Sequence, residues 1–128
     1  MAVRASLPLH GAVFNGSAGC TKILLTESHI NASAVNLKGQ SILHILGQYG
    51  KENAATIFQV ILEAIPDFPI DKPDADGSTM LLLAYMNGNA QLCKAAVQAG
   101  TSLGQTNAHG ISVFNFQTPT KQLLFRLL

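Results

Sequence analysis

The large apolar residues of this chain recur at a nearly constant interval. A short segment with the same order of polar, small and apolar positions occurs four times, and each copy is centred on one large apolar residue: Leu9, Leu43, Leu81 and Phe114. Consecutive centres are 34, 38 and 33 residues apart. A period of this length indicates a supersecondary unit that buries its apolar face by stacking on its neighbours. The sequence therefore predicts a stacked array of repeats.

The third repeat shows most plainly which elements each unit contains. Gly77 lies in a short finger-like turn, and Thr79 follows it as a helix cap. The first helix is predicted to stop at Gly88. A second helix, with apolar residues at helical spacing, follows and ends near Gly100. The order of finger, helix, turn and helix predicts an all-α fold.

The same pattern divides the chain into four units. Residues 1–38 are predicted to form an N-terminally truncated repeat, 39–76 a repeat with a loop insertion, 77–109 a full repeat, and 110–128 a degenerate repeat with a terminal helix. The second repeat holds five extra residues, and its segment 66–73 is a stiff, proline-rich loop. Such an insertion is either tolerated or functional. Both ends lack the polar face of a capping repeat, so we expect a longer array or multidomain chain around this one.

The repeated motif resembles that of the ankyrin-repeat family over residues 6–116. The family core, Thr-Pro-Leu-His-x-Ala, is matched by Leu-Pro-Leu-His-Gly-Ala at 7–12, Ser-Ile-Leu-His at 41–44, Thr-Met-Leu-Leu-Leu-Ala at 79–84 and Ser-Val-Phe-Asn at 112–115. The resemblance implies an ankyrin-repeat solenoid of about three to four repeats, built from helix-turn-helix pairs and β-turn fingers. It also implies that the array offers a surface to other proteins.

Composition narrows the classes of partner. The chain is 48% hydrophobic and 12% charged, which argues against disorder. Its formal charge is only +1, and its lysines and arginines are scattered along the chain. We therefore predict no nucleic-acid partner. It has no secretory signal and no apolar run long enough for direct membrane insertion. Its two cysteines, Cys20 and Cys93, are expected to be reduced and packed in helices. These features favour a cytoplasmic protein.

Two histidines are the residues that a catalytic interpretation would use. His10 and His44 both occupy the fourth position of the repeat core, where an imidazole ties the helix start to the backbone of the neighbouring finger. The third and fourth repeats carry Leu82 and Asn115 at that position, which favours a packing role. The chain has no nucleophile elbow and no phosphate-binding loop. We therefore predict that it is not an enzyme.

The acidic turn before the third repeat resembles part of a calcium loop but does not match it. Asp71, Asp74 and Asp76 precede Gly77, whereas the calcium pattern also needs acids where Lys72 and Leu83 stand. The two cysteines are too far apart in sequence to form a zinc motif. We predict an ordinary turn, no metal site and no cofactor.

Candidate protein-binding residues follow from the repeat register. Five residues after each core leucine, a side chain is expected to face the concave groove of the array, which selects Phe14, Gln48 and Met86, with Tyr49 beside Gln48. An exposed strip of this kind would suit an interface, where aromatic residues and Met are enriched. The alternative is that these side chains pack against neighbouring helices. The finger tips, with Lys38 and His109, are further candidates, and plain solvated turns are the alternative there.

Three segments, residues 47–53, 71–78 and 121–128, resemble more specifically the last repeats of endosomal proteins that combine ankyrin repeats with a FYVE finger. The resemblance implies a large scaffold, with a BTB domain before the array and a lipid-binding zinc finger after it, neither of them in this chain. It implies an effector of an early-endosomal Rab-family GTPase in endocytic traffic and macropinocytosis, on the cytosolic face of early endosomes. A protein-interaction segment with an unidentified partner is the leading hypothesis, a structural spacer the second, and a small enzyme the last.

Overall fold

The computed structural model describes residues 8–27, 30–103 and 105–111, and this part of the chain is built from six α-helices without a strand. The helices form three consecutive pairs: α1 (Pro8–Phe14) with α2 (Ala18–Leu25), α3 (Ile42–Tyr49) with α4 (Ala54–Ala64), and α5 (Met80–Met86) with α6 (Ala90–Gln98). The predicted all-α repeat fold is confirmed. The terminal helix predicted within 110–128, and Phe114 with it, lie outside the described residues.

The helices stack in two layers. The first helices of the pairs pack in the order α1, α3, α5, and the second helices pack in the order α2, α4, α6. Leu9, Leu43 and Leu81, the centres of the sequence motif, are each at most 2% exposed. The recurrence of a large apolar residue thus reflects a shared core position between the layers, where burial of each side chain stabilises the stack by about 1.5–3 kcal/mol.

Polar side chains cap the N-termini of three of the helices. Ser17, Thr79 and Asn89 each accept a hydrogen bond from a backbone N–H three residues later, which satisfies a donor that the helix itself leaves free. The predicted Thr79 cap is therefore confirmed. The turns after α1 and α5 contain Gly16 and Gly88, whose φ angles are 73° and 76°. Such positive φ angles favour glycine because it lacks a Cβ atom.

The fingers share one turn design. Asn36, Asp74 and Asn107 each use Oδ1 to accept hydrogen bonds from the backbone N–H groups two and four residues later. Successive fingers are joined by their backbones: Ala75 N–H donates to the carbonyl of Lys38 at 3.0 Å, and Ala108 N–H donates to that of Asp76 at 2.7 Å. The fingers thus form a hydrogen-bonded edge along the array.

The five extra residues of the second repeat are divided among a turn, a helix and a loop. From the core leucine to the residue that precedes the second helix there are ten positions in this repeat (Leu43 to Asn53) and eight in the third (Leu81 to Asn89). Two of the extra residues, Lys51 and Glu52, therefore lengthen the turn between α3 and α4. Of the other three, two lengthen the second helix, since α4 has 11 residues and α6 has 9, and one lies between α4 and the finger. Spacing between core leucines alone could not show where these residues are placed.

The proline-rich segment 66–73 is fastened to the array. Phe68 is only 5% exposed and belongs to the hydrophobic core. The carboxylate of Asp71 accepts hydrogen bonds from the Thr101 hydroxyl and from Ser102 N–H, at 2.5 and 3.0 Å. The sequence leaves two interpretations of this segment, a tolerated insertion and a functional loop, and these contacts favour the first.

Candidate protein-binding surface

The two core histidines join neighbouring repeats. His10 Nε2 lies 2.9 Å from the carbonyl oxygen of Gln40. His44 Nδ1 accepts a hydrogen bond from Ser41 N–H at 3.0 Å, so the proton is on Nε2, which donates to the carbonyl of Ser78 at 3.1 Å. The prediction that each imidazole ties a helix start to the next finger is confirmed.

Burial also sets the ionisation of one histidine and one cysteine. Desolvation lowers the pKa of His44 below its ordinary value, although the nearby Asp74 carboxylate opposes the shift. Burial raises the pKa of the Cys93 thiol to about 12, so this thiol stays protonated. Cys93 is packed as predicted, but the same prediction is wrong for Cys20, which is exposed because α2 turns Thr21 inward instead.

The three apolar binding candidates lie on the surface. Phe14, Tyr49 and Met86 are 57%, 40% and 56% exposed and stand at the C-terminal ends of α1, α3 and α5. We call the long edge of the array that carries the turns between paired helices the turn end. The opposite long edge, which carries the fingers, is the finger end. The rings of Phe14 and Tyr49 meet edge to face, with centroids 5.1 Å apart. These two side chains are thus both exposed and in contact with each other.

The polar candidates are placed differently. The carboxamide of Gln48 is partly buried and accepts a hydrogen bond from Gln40 Nε2 at 2.9 Å. Lys38 and His109 are exposed at two finger tips. The structure therefore brings Phe14 and Tyr49 together and leaves Lys38 and His109 at the other end of the array. Whether any of these residues binds a protein stays a prediction.

A cleft of about 420 Å³ opens at the turn end between the first and second repeats. Its floor includes the buried side chains of Val13, Leu46 and Ile57, and its lining also includes the exposed Phe14 and Tyr49. Lys51, from the lengthened turn, is the charged residue that lines it. Sequence reasoning missed this cleft. The available signal was Tyr49, which stands before a turn glycine where the other repeats have Asn15 and Asn87.

The described part of the chain was compared with the requirements of a metal site and of a membrane span. Among residues 8–27, 30–103 and 105–111, no three His, Cys, Asp or Glu side chains are grouped so that they could hold a metal ion. Asp71 and Asp74 are used instead in hydrogen bonds to a hydroxyl and to backbone N–H groups. None of the helices in this same part is long and apolar enough to cross a bilayer.

Comparison with known proteins gives a consistent result. A family model described as ankyrin repeats (3 copies) matches residues 9–107. Human Rabankyrin-5 is 62% identical to the chain over 116 residues, and mouse Rabankyrin-5 is 60% identical over 117. Each alignment covers 91% of this chain and 10% of the relative. The chain therefore spans about a tenth of the length of these relatives.

Proposed function

Because this chain belongs to the ankyrin-repeat family, we propose that it is a protein-interaction segment of a cytosolic scaffold. The observation that carries the proposal is the exposed pair of Phe14 and Tyr49 at the turn end. Two large side chains already held against each other lose little conformational freedom when a partner covers them. Aromatic side chains of this kind dominate the energetics of protein interfaces.

We base the proposed role of a scaffold that would contain this chain on its relatives. The matched proteins carry the name Rabankyrin-5, and the resemblance supports an effector of an early-endosomal Rab-family GTPase. We place its action in endocytic traffic and macropinocytosis, on the cytosolic face of early endosomes. This chain would contribute a protein contact to that scaffold. Its partner is a protein, either the GTPase itself or another component.

A pull-down from cytosol tests the interaction. The intact chain is compared with a Phe14→Ala, Tyr49→Ala, Met86→Ala triple variant whose helicity is checked by circular dichroism. A second triple variant, Ile23→Ala, Val35→Ala, Leu37→Ala, serves as the matched control because those side chains are also apolar and 65%, 41% and 88% exposed. The proposal expects a protein that is retained by the intact chain and the control but lost with the first variant. Equal retention by all three would remove the binding assignment from the turn end.

The alternative is a structural spacer that binds nothing itself. The observation that favours it is the set of bonds that fix each repeat to the next, such as His10 to Gln40, His44 to Ser78, and the backbone bonds between fingers. An array tied in this way would hold flanking segments at a constant separation. Failure of the intact chain to retain any specific protein would favour this spacer function.

A further inference from the structure

The two junctions between repeats differ at the turn end. At the junction of the second and third repeats, the carboxamides of Asn87 and Asn89 donate hydrogen bonds to the carbonyls of Gly50 and Lys51, at 2.9 and 3.1 Å. At the junction of the first and second repeats, Tyr49 occupies the position equivalent to Asn87 and contacts Phe14 instead. The Asn53 carboxamide there makes a single bond to the carbonyl of Gly16.

The longer turn of the second repeat adds to this difference. Gly50 has a φ of −63° and a ψ of 147°, whereas the equivalent Gly16 and Gly88 have positive φ angles. The chain therefore leaves α3 in a different direction and passes through Lys51 and Glu52 before α4 begins. The cleft lies between this lengthened turn and the turn of the first repeat, over the buried side chains of Val13, Leu46 and Ile57.

We propose that this cleft binds an apolar side chain presented by an extended, acidic segment of a partner protein. The inference rests on the proposed interaction function and adds to it the chemistry of the partner. A volume of about 420 Å³ is within the range of ligand clefts and accommodates a large side chain with its adjoining backbone. The apolar floor and the two aromatic rings provide its contacts.

The charge around the cleft selects an acidic segment. Lys51 lines the cleft, and no aspartate or glutamate does. The helices that begin beside it, α2 and α4, have no acidic residue in their first turns. The nearest carboxylate in sequence is that of Glu52, which is exposed and is not part of the lining. A carboxylate flanking the apolar side chain would therefore meet a positive charge, while a lysine or arginine in its place would meet repulsion.

Fluorescence anisotropy with defined peptides tests the proposal on the full 128-residue chain. The probe is a labelled peptide with one central Phe flanked on both sides by Asp and Glu. Two comparison peptides replace the central Phe by Ala, or all the flanking acids by Lys. The acidic Phe peptide should bind, and loss of the Phe ring should weaken binding by about tenfold or more. The Lys-flanked peptide should bind less well than the acidic one.

Variants locate the binding in the cleft. Phe14→Ala should weaken binding of the acidic peptide by about tenfold. Lys51→Glu should weaken it by about fivefold and should also reduce the preference for acidic over basic flanks. Deletion of Lys51 and Glu52 gives the second turn the length found in the other repeats and should abolish binding. Ile23→Ala is the control that should leave the affinity unchanged, because this exposed apolar side chain does not line the cleft. Lys51→Glu keeps the test decisive if the deletion variant does not fold.

Three outcomes would overturn the proposal. One is no binding of the acidic Phe peptide. Another is binding that Phe14→Ala and Lys51→Glu leave unchanged. The third is self-association in sedimentation velocity that Phe14→Ala abolishes, which would make a second copy the occupant. A cytosolic protein could also be lost with the Phe14, Tyr49, Met86 triple variant but retained by Lys51→Glu. This result would support the proposed interaction function and contradict only the proposal that the partner segment is acidic.

Discussion

The junction between the first and second repeats and the junction between the second and third are built from equivalent positions but are not equally tight. In the second junction, α3 approaches α5 so closely that a Cβ atom on Gly47 would lie 2.7 Å from the carbonyl oxygen of Met80. The first repeat has Val13 at the position of Gly47, and its side chain is accommodated. The second junction also has the two Asn bonds at the turn end. The stability of a repeat array is shared unequally among its interfaces, and the looser interface is the one with an open cleft.

The largest expected difference between a variant and its matched control comes from filling the close approach in the second junction. Gly47→Ala should lower the free energy of unfolding by about 1–3 kcal/mol, because the atom that the new methyl group meets is backbone and cannot rotate away. Gly11→Ala is the matched control, since nothing lies within 4 Å of its Cβ position in α1. This variant should gain about 0.5–1 kcal/mol from helix propensity. Urea denaturation measures both, and a stabilising Gly47→Ala would show that the two junctions are equally spaced.

The two core histidines should show a similar but smaller contrast. His44→Ala should cost about 2–3 kcal/mol, because it leaves the buried Ser41 N–H without its partner and removes one of the two hydrogen bonds that the Ser78 carbonyl accepts. His10→Ala should cost about 1–2 kcal/mol, since one bond, to the Gln40 carbonyl, is lost. The same denaturation experiment compares them. If His10→Ala lowered the free energy of unfolding more than His44→Ala, the first junction would be the one that its histidine stabilises more.

The smallest expected effect is a pH dependence carried by the second junction. The folded-state pKa of His44 is lowered by burial, so the unfolded chain takes up a proton first as pH falls through about 6.5. The free energy of unfolding should therefore decrease as pH falls below that value, and this contribution should level off once pH passes below the folded-state pKa. The Asp74 carboxylate and the hydrogen bond to the Ser78 carbonyl oppose the shift and so reduce the effect. His44→Gln should flatten the profile between pH 7.5 and 5, and an unchanged slope would assign it to other groups.

Much of the fold could be predicted because it depends on local spacing. The interval between core leucines, the glycines of the turns and the cap at Thr79 each act within a few residues, so a single sequence displays them. The roles of His10 and His44 followed from the same register. The exposure of Phe14 and Tyr49 was one of two open alternatives, and choosing between them required the backbone of both repeats.

The cleft could not be predicted because it arises from a difference between repeats. It depends on Tyr49 standing where other repeats have Asn, and on two extra residues in one turn. Neither feature changes the motif around the core leucines. The prediction that Cys20 is packed was wrong for a related reason. In α2, a helix of eight residues, Thr21 is the buried position, so the neighbouring thiol faces outward. The apolar pattern of α2 does not show which of its faces is covered.

The fastening of residues 66–73 has a consequence for proteolysis. A proteolytic enzyme needs several residues of extended, freely adjustable backbone to cut a chain, and loops usually supply them. Here Phe68 is held in the core and Asp71 is bonded to Thr101, while Pro66, Pro69 and Pro73 restrict the backbone between them. The segment with the most loop-like composition in the chain is thereby a poor substrate for limited digestion.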